Sequence, residues 1–65
     1  MDFRAILKDK RNNKHITQFE LAEMIGVSPE AVSRWETGKR KITLENAEAA
    51  LAALGYRFEI VEDKT

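Results

Sequence analysis

Cysteine is absent from the 65 residues, and with it disulfides, thiolate zinc sites and thiol nucleophiles. A single histidine, His15, cannot hold a metal by itself. A chain this short sits near the lower end for independent folding, where little core is available. With neither disulfide nor metal to supplement that core, a second subunit is the remaining source of buried surface. The lack of cysteine fits a reducing compartment without proving one. No apolar run approaches the roughly 20 residues needed to span a bilayer. Met1 to Arg11 is charged throughout and has no signal-peptide core. The expectation is a cytoplasmic protein with no membrane partner. There is no glycine-rich phosphate loop, and the carboxylates are spread over polar helix faces rather than paired on an apolar one. Enzymatic function is a poor reading, and no catalytic residue, metal or cofactor is expected.

Net charge is missing too: eleven Lys and Arg balance eleven Asp and Glu. The balance hides a split. Residues 1–41 hold nine basic against six acidic side chains, and residues 42–65 hold two against five. A protein that grips nucleic acid with one face needs only that face to be basic. Chance clustering gives the same pattern, so the split alone decides little.

Hydrophobic residues make up 43% and charged residues 34%, a globular profile. There is no repeat, low-complexity tract or linker. Turn signals divide the chain into four helices and one strand, a mainly α fold. Phe3, Ile6 and Leu7 recur at helical spacing in a first helix from Asp2 to Asn13. Thr17-Gln18-Phe19-Glu20 is a capping box that opens a second helix over 18–25, closed by Gly26. Ser28 is a good N-cap and Pro29 suits the first position of a third helix over 29–37, which stops before Gly38. Thr43 caps a fourth helix from Leu44 to Leu54, with Leu44, Ala47, Leu51 and Leu54 as its apolar stripe and Gly55 as its stop. Tyr56, Phe58 and Ile60 then alternate with Arg57, Glu59 and Val61, the period of a strand.

The second and third helices are separated only by Gly26-Val27-Ser28, the spacing of a helix-turn-helix unit. Ala22 is small where the two helices cross, and Leu21, Ile25, Val32 and Trp35 face inward. The remaining face of the third helix carries Ser28, Glu30, Ser33, Arg34 and Thr37, polar groups fit for base edges in a major groove. Arg34 is a candidate for base or phosphate contact, because Arg is the commonest reader of guanine; a plain surface arginine is the competing reading. Glu30 has three readings of equal standing: accepting from cytosine N4, repelling phosphate, or serving the helix dipole. Trp35 lies in the core stripe rather than on the base-facing side.

Ile16-Thr17-Gln18-Phe19-Glu20-Leu21-Ala22-Glu23-Met24-Ile25-Gly26-Val27-Ser28, followed by Val32-Ser33-Arg34-Trp35-Glu36-Thr37-Gly38, resembles the lambda repressor/Cro type of helix-turn-helix regulator. The resemblance covers about residues 3–54 and rests on the joint occurrence of these residues at fixed spacing. It implies a four-helix DNA-binding domain. Ser28, Pro29, Glu30, Ser33, Arg34 and Thr37 then match DNA-facing positions. Gln18 matches a glutamine that bonds a phosphate and braces the recognition helix. Lys39, Arg40 and Lys41 match the loop that follows the DNA backbone, and Lys14 is a further phosphate candidate. Arg11 and Glu36 match an ion pair between the first and third helices. Two positions depart from the pattern. Pro29 stands where many relatives place a base-reading polar side chain, and His15 stands where they often have glycine, so a left-handed backbone there is mildly strained. Phe19 occupies a position that is often partly exposed.

The expected organisation is a DNA-binding domain over residues 1–55, a dimerisation strand over 56–62 and a tail over 63–65. A lone strand leaves its backbone groups unpaired unless a second copy supplies the ladder. Tyr56, Arg57, Phe58, Glu59 and Ile60 are therefore the candidate dimer interface; folding back onto the chain's own domain is the competing reading. Two functions fit. One is a repressor that binds a pseudo-palindromic operator in double-stranded DNA as a homodimer. The other is an antitoxin that binds a toxin protein and represses its own operon, since antitoxins of the persistence type similarly follow four helices with a strand.

Overall fold

A computed structural model of the chain describes residues 2–59 and 61–63. Four helices account for its regular structure: α1 (Phe3–Asn13), α2 (Gln18–Ile25), α3 (Pro29–Thr37) and α4 (Leu44–Ala53). Each starts at a side chain that satisfies an otherwise orphaned amide. Asp2 accepts from the Arg4 N–H, Ser28 from Ala31 and Thr43 from Asn46. At α2 the capping box is complete: Thr17 Oγ1 accepts from the Glu20 N–H at 3.0 Å, and Glu20 Oε1 from the Thr17 N–H at 2.9 Å. That bond to the backbone, joined by the Thr17 hydroxyl, holds the Glu20 carboxyl below its ordinary value.

Gly26 ends α2 with φ 75°, the left-handed conformation that turns the chain toward α3 within two residues. His15 shares that region at φ 57°, and it is the one described non-glycine residue that does. A β-carbon in this conformation crowds the following carbonyl. His15→Gly should therefore raise the unfolding free energy by about 0.5–1 kcal/mol in urea denaturation, the relief of strain exceeding the extra chain entropy. A variant less stable than the parent would mean that the imidazole makes a compensating contact.

The core gathers one face of every helix: Leu7 from α1, Leu21 and Ala22 from α2, Val32 and Trp35 from α3, and Ala50 and Leu54 from α4 and its cap. Ala22 is fully buried, which lets α2 and α3 approach closely. One expectation is corrected. Leu44 is 68% exposed and does not belong to the apolar stripe of α4; Ala50 takes its place beside Ala47, Leu51 and Leu54. Leu44 is the first residue after the cap, so it projects past the edge of the core. The strand expected over residues 56–62 is not formed among the described residues. A single copy of the chain offers it no ladder partner. Instead the Tyr56 N–H donates to Leu51 O at 2.8 Å and the Tyr56 ring packs against the core. Phe58 reaches the Phe3 ring, with centroids 6.0 Å apart. Ile60 lies outside the described residues.

Candidate nucleic-acid interface

The solvated side of α3 begins at Ser28 and ends at Thr37. Glu30, Arg34 and Thr37 are exposed, while Pro29 and Ser33 are half-buried. Pro29 occupies the first helical turn, where its missing N–H costs nothing. Two hydroxyls are already engaged. Ser28 Oγ accepts from the Ala31 N–H at 3.2 Å, and Thr37 Oγ1 donates to Ser33 O at 3.0 Å. Ser28 keeps its proton to donate outward, whereas Thr37 offers only lone pairs. The Arg34 guanidinium makes no hydrogen bond or ion pair among the described residues, and the residue is exposed.

Behind this face, the helix is anchored by one buried ion pair. Arg11 Nε donates to Glu36 Oε2 at 2.7 Å, and Arg11 Nη2 to Glu36 Oε1 at 2.8 Å, a two-pronged match of guanidinium to carboxylate. The side chains are only 9% and 2% exposed. Arg11 Nη1 also donates to Ile16 O at 2.8 Å, tying the α1–α2 connection to the same group. Gln18, the first residue of α2, donates from Nε2 to Glu36 Oε1 at 3.1 Å. Three helices thus converge on one carboxylate. Burial pushes the Glu36 carboxyl up, but the hydrogen bonds from Arg11 and Gln18, with the charges of Arg11 and Lys8, outweigh it and hold it below its ordinary value. The Glu36 hydrogen bond in turn raises Arg11.

Lys39, Arg40 and Lys41 follow α3 in an exposed loop. The Arg40 N–H donates to Arg34 O at 3.2 Å, which fastens the loop to the end of the helix. Lys14 sits elsewhere: its Nζ lies 5.5 Å from the Tyr56 ring centroid, with Lys10 Nζ at 5.1 Å from the same ring. Its ammonium is engaged by a π-face next to Gly55. A phosphate role for Lys14 would require leaving that contact.

A tight α2–turn–α3 unit with a free polar face and a buried brace is the arrangement of a helix-turn-helix, and the helix-turn-helix family profile matches residues 7–61. The chain belongs to the helix-turn-helix family. It is of the lambda repressor/Cro type, a family of DNA-binding regulators rather than enzymes. Among curated proteins, the HTH-type transcriptional activator BcrR of Enterococcus faecalis is 41% identical over 46 residues, which is 71% of this chain. The chain spans 22% of the length of that relative. No solved structure matches it.

Membership in the helix-turn-helix family does not account for everything at this face. Sequence reasoning passed over Arg4, whose side chain lies against Gly38 at the end of α3. No spacing rule relates the start of α1 to the end of α3, because that proximity exists only after the helices pack. The Tyr56 clamp by Lys10 and Lys14 was missed for the same reason. No helix among the described residues is long and apolar enough to cross a membrane.

Proposed function

We propose that this helix-turn-helix chain binds double-stranded DNA sequence-specifically as a homodimer and represses transcription at a pseudo-palindromic operator. The observation that carries the reading is the free face of α3 held from behind by the Arg11–Glu36–Gln18 network. Such bracing keeps a short helix rigid while its outer side chains enter a groove, where Glu30, Ser33 and Arg34 meet base edges and Ser28 and Thr37 flank them. Lys39, Arg40 and Lys41 supply sequence-independent phosphate contacts, and Gln18 keeps a second amide proton for another.

Selection of bound duplexes from a random pool tests this reading. The expected product is an inverted repeat with half-sites about 10 base pairs apart, centre to centre. A pool without enrichment would contradict it. With Arg34→Ala, preference should relax at one base pair per half-site, a loss of about 1–3 kcal/mol in discrimination, while other positions keep theirs. An unchanged preference would remove Arg34 from the readout.

Activation is a second reading, favoured by the enterococcal relative, which is a transcriptional activator. A reporter carrying the selected site over its promoter, or just upstream of it, separates the two. Repression lowers output in the first placement, and activation raises it in the second. The antitoxin alternative draws on the same C-terminal segment as the proposed dimer, and binding of a toxin protein distinguishes it.

A further inference from the structure

Gly38 closes α3 at φ 80°, and its missing side chain is needed twice. A β-carbon there would be strained, and it would also overlap the Arg4 guanidinium, with Arg4 Cδ and Cζ at 3.0 Å. The guanidinium therefore rests against the C-terminal end of α3, the negative end of the helix dipole. Beside it opens a concavity of about 370 Å³. Phe3, Trp35 and Ile42 floor it, and Arg4, Arg40 and Lys41 supply its cations.

Among the described residues, Asp2 provides the carboxylate paired with this group. Arg4 Nε and Nη2 donate to Asp2 Oδ1 and Oδ2 at 3.1 and 3.3 Å. Both side chains are 54% exposed, so the pair is weak and exchangeable. An Arg fork held by a carboxylate presents the geometry that a phosphate would use. The apolar floor removes water from one side and strengthens attraction to an anion seated above it.

We propose that Arg4, with Arg40 and Lys41, forms a seat for one phosphodiester group of the DNA backbone, and that Asp2 occupies the Arg4 fork when DNA is absent. The inference rests on the DNA-binding reading above and adds a residue of α1 to the interface. The seat adjoins the end of α3, and Arg40 is bonded through its backbone to Arg34. A phosphate held there sets how far along the groove Arg34 reaches, the positioning task that backbone contacts perform.

The full chain, titrated by fluorescence anisotropy against a random-sequence duplex of roughly three helical turns at several salt concentrations, tests the seat. Arg4→Ala should weaken binding about tenfold, as expected for one charge-assisted hydrogen-bonded contact. It should also make the log–log salt dependence shallower by about 0.9 for each Arg4 removed. Asp2→Asn keeps a capping side chain on α1 while releasing the fork, so it should bind more tightly than the parent. The double variant Asp2→Asn/Arg4→Ala should show no such gain. Helix content measured by circular dichroism should match the parent in all three. Unchanged affinity and salt slope in Arg4→Ala would overturn the seat. So would an Asp2→Asn without a gain, or a gain that survives the loss of Arg4, which marks a bulk charge effect. Failure of the unaltered chain to bind any duplex would instead overturn the DNA-binding reading itself.

Discussion

Replacing Glu36 by alanine should lower the unfolding free energy by about 3 kcal/mol, against less than about 0.5 kcal/mol for Glu23→Ala. Glu23 is exposed, whereas the Glu36 side chain is 2% exposed and receives donors from Arg11 and Gln18. Its removal leaves the Arg11 guanidinium, itself only 9% exposed, charged and without its carboxylate. In a domain of this size the midpoint of thermal unfolding should drop by roughly 12 °C or more. Glu36→Gln should fall between the two, because it preserves shape but not charge. The pH dependence has a definite sign. The folded Glu36 carboxyl titrates below its ordinary value of 4.5, so its stabilisation is complete above that value. It is lost as pH falls through the lower folded value. Stability of the parent should thus decline below about pH 4.5 more steeply than that of Glu36→Ala. Melting curves at neutral and acidic pH check both statements, and equal midpoints for Glu36→Ala and Glu23→Ala would sink them.

The second large effect belongs to the C-terminal segment. Ending the chain after Arg57 should yield a monomer whose operator affinity is lower by at least about 100-fold, since the second half-site is no longer held at high effective concentration. This cut keeps the Tyr56 hydrogen bond to Leu51 and the contacts from Lys10 and Lys14, so the four helices should stay folded. Phe58 is 44% exposed and Val61 77% exposed, a large apolar surface for so short a segment. Paired antiparallel with its own copy, the segment would turn the Phe58 face, opposite Val61, onto the shared core and bring Arg57 near Glu59 of the second subunit. The two α3 helices would then be spaced for successive major grooves, about 34 Å apart. Phe58→Asp is the milder variant, placing a charge where the proposed interface is apolar. Sedimentation reads the assembly state and anisotropy the affinity. A shortened chain that remains dimeric and binds its operator normally would disprove the segment's role.

The helices were legible because their ends are written in local chemistry. Thr17 with Glu20, Ser28 with Pro29, and Thr43 each begin a helix where the sequence shows a cap, and Gly26 ends one where only a left-handed residue fits. The inward set of α2 and α3 was readable from period and size, and Leu21, Ala22, Val32 and Trp35 are all buried. The partnership of Arg11 with Glu36 came from resemblance, since 25 residues separate the two and no periodicity links them. Leu44 was misplaced because a helical stripe does not reveal where the neighbouring helices stop. The strand at residues 56–62 followed from alternation alone, but alternation does not provide a partner, and one copy of the chain has none to offer.

What this sequence determined by itself is the set of helices, the turn between α2 and α3, and the polar face of α3. These depend on residues within a few positions of one another, so caps and period suffice. Only the tertiary structure decided that Gln18 shares the Glu36 carboxylate, that Lys14 turns to Tyr56, and that Arg4 lies on Gly38 at the mouth of a basic concavity. Each of these joins segments far apart in the chain. Their proximity is set by how four apolar faces close on one core, and no local rule contains that closure.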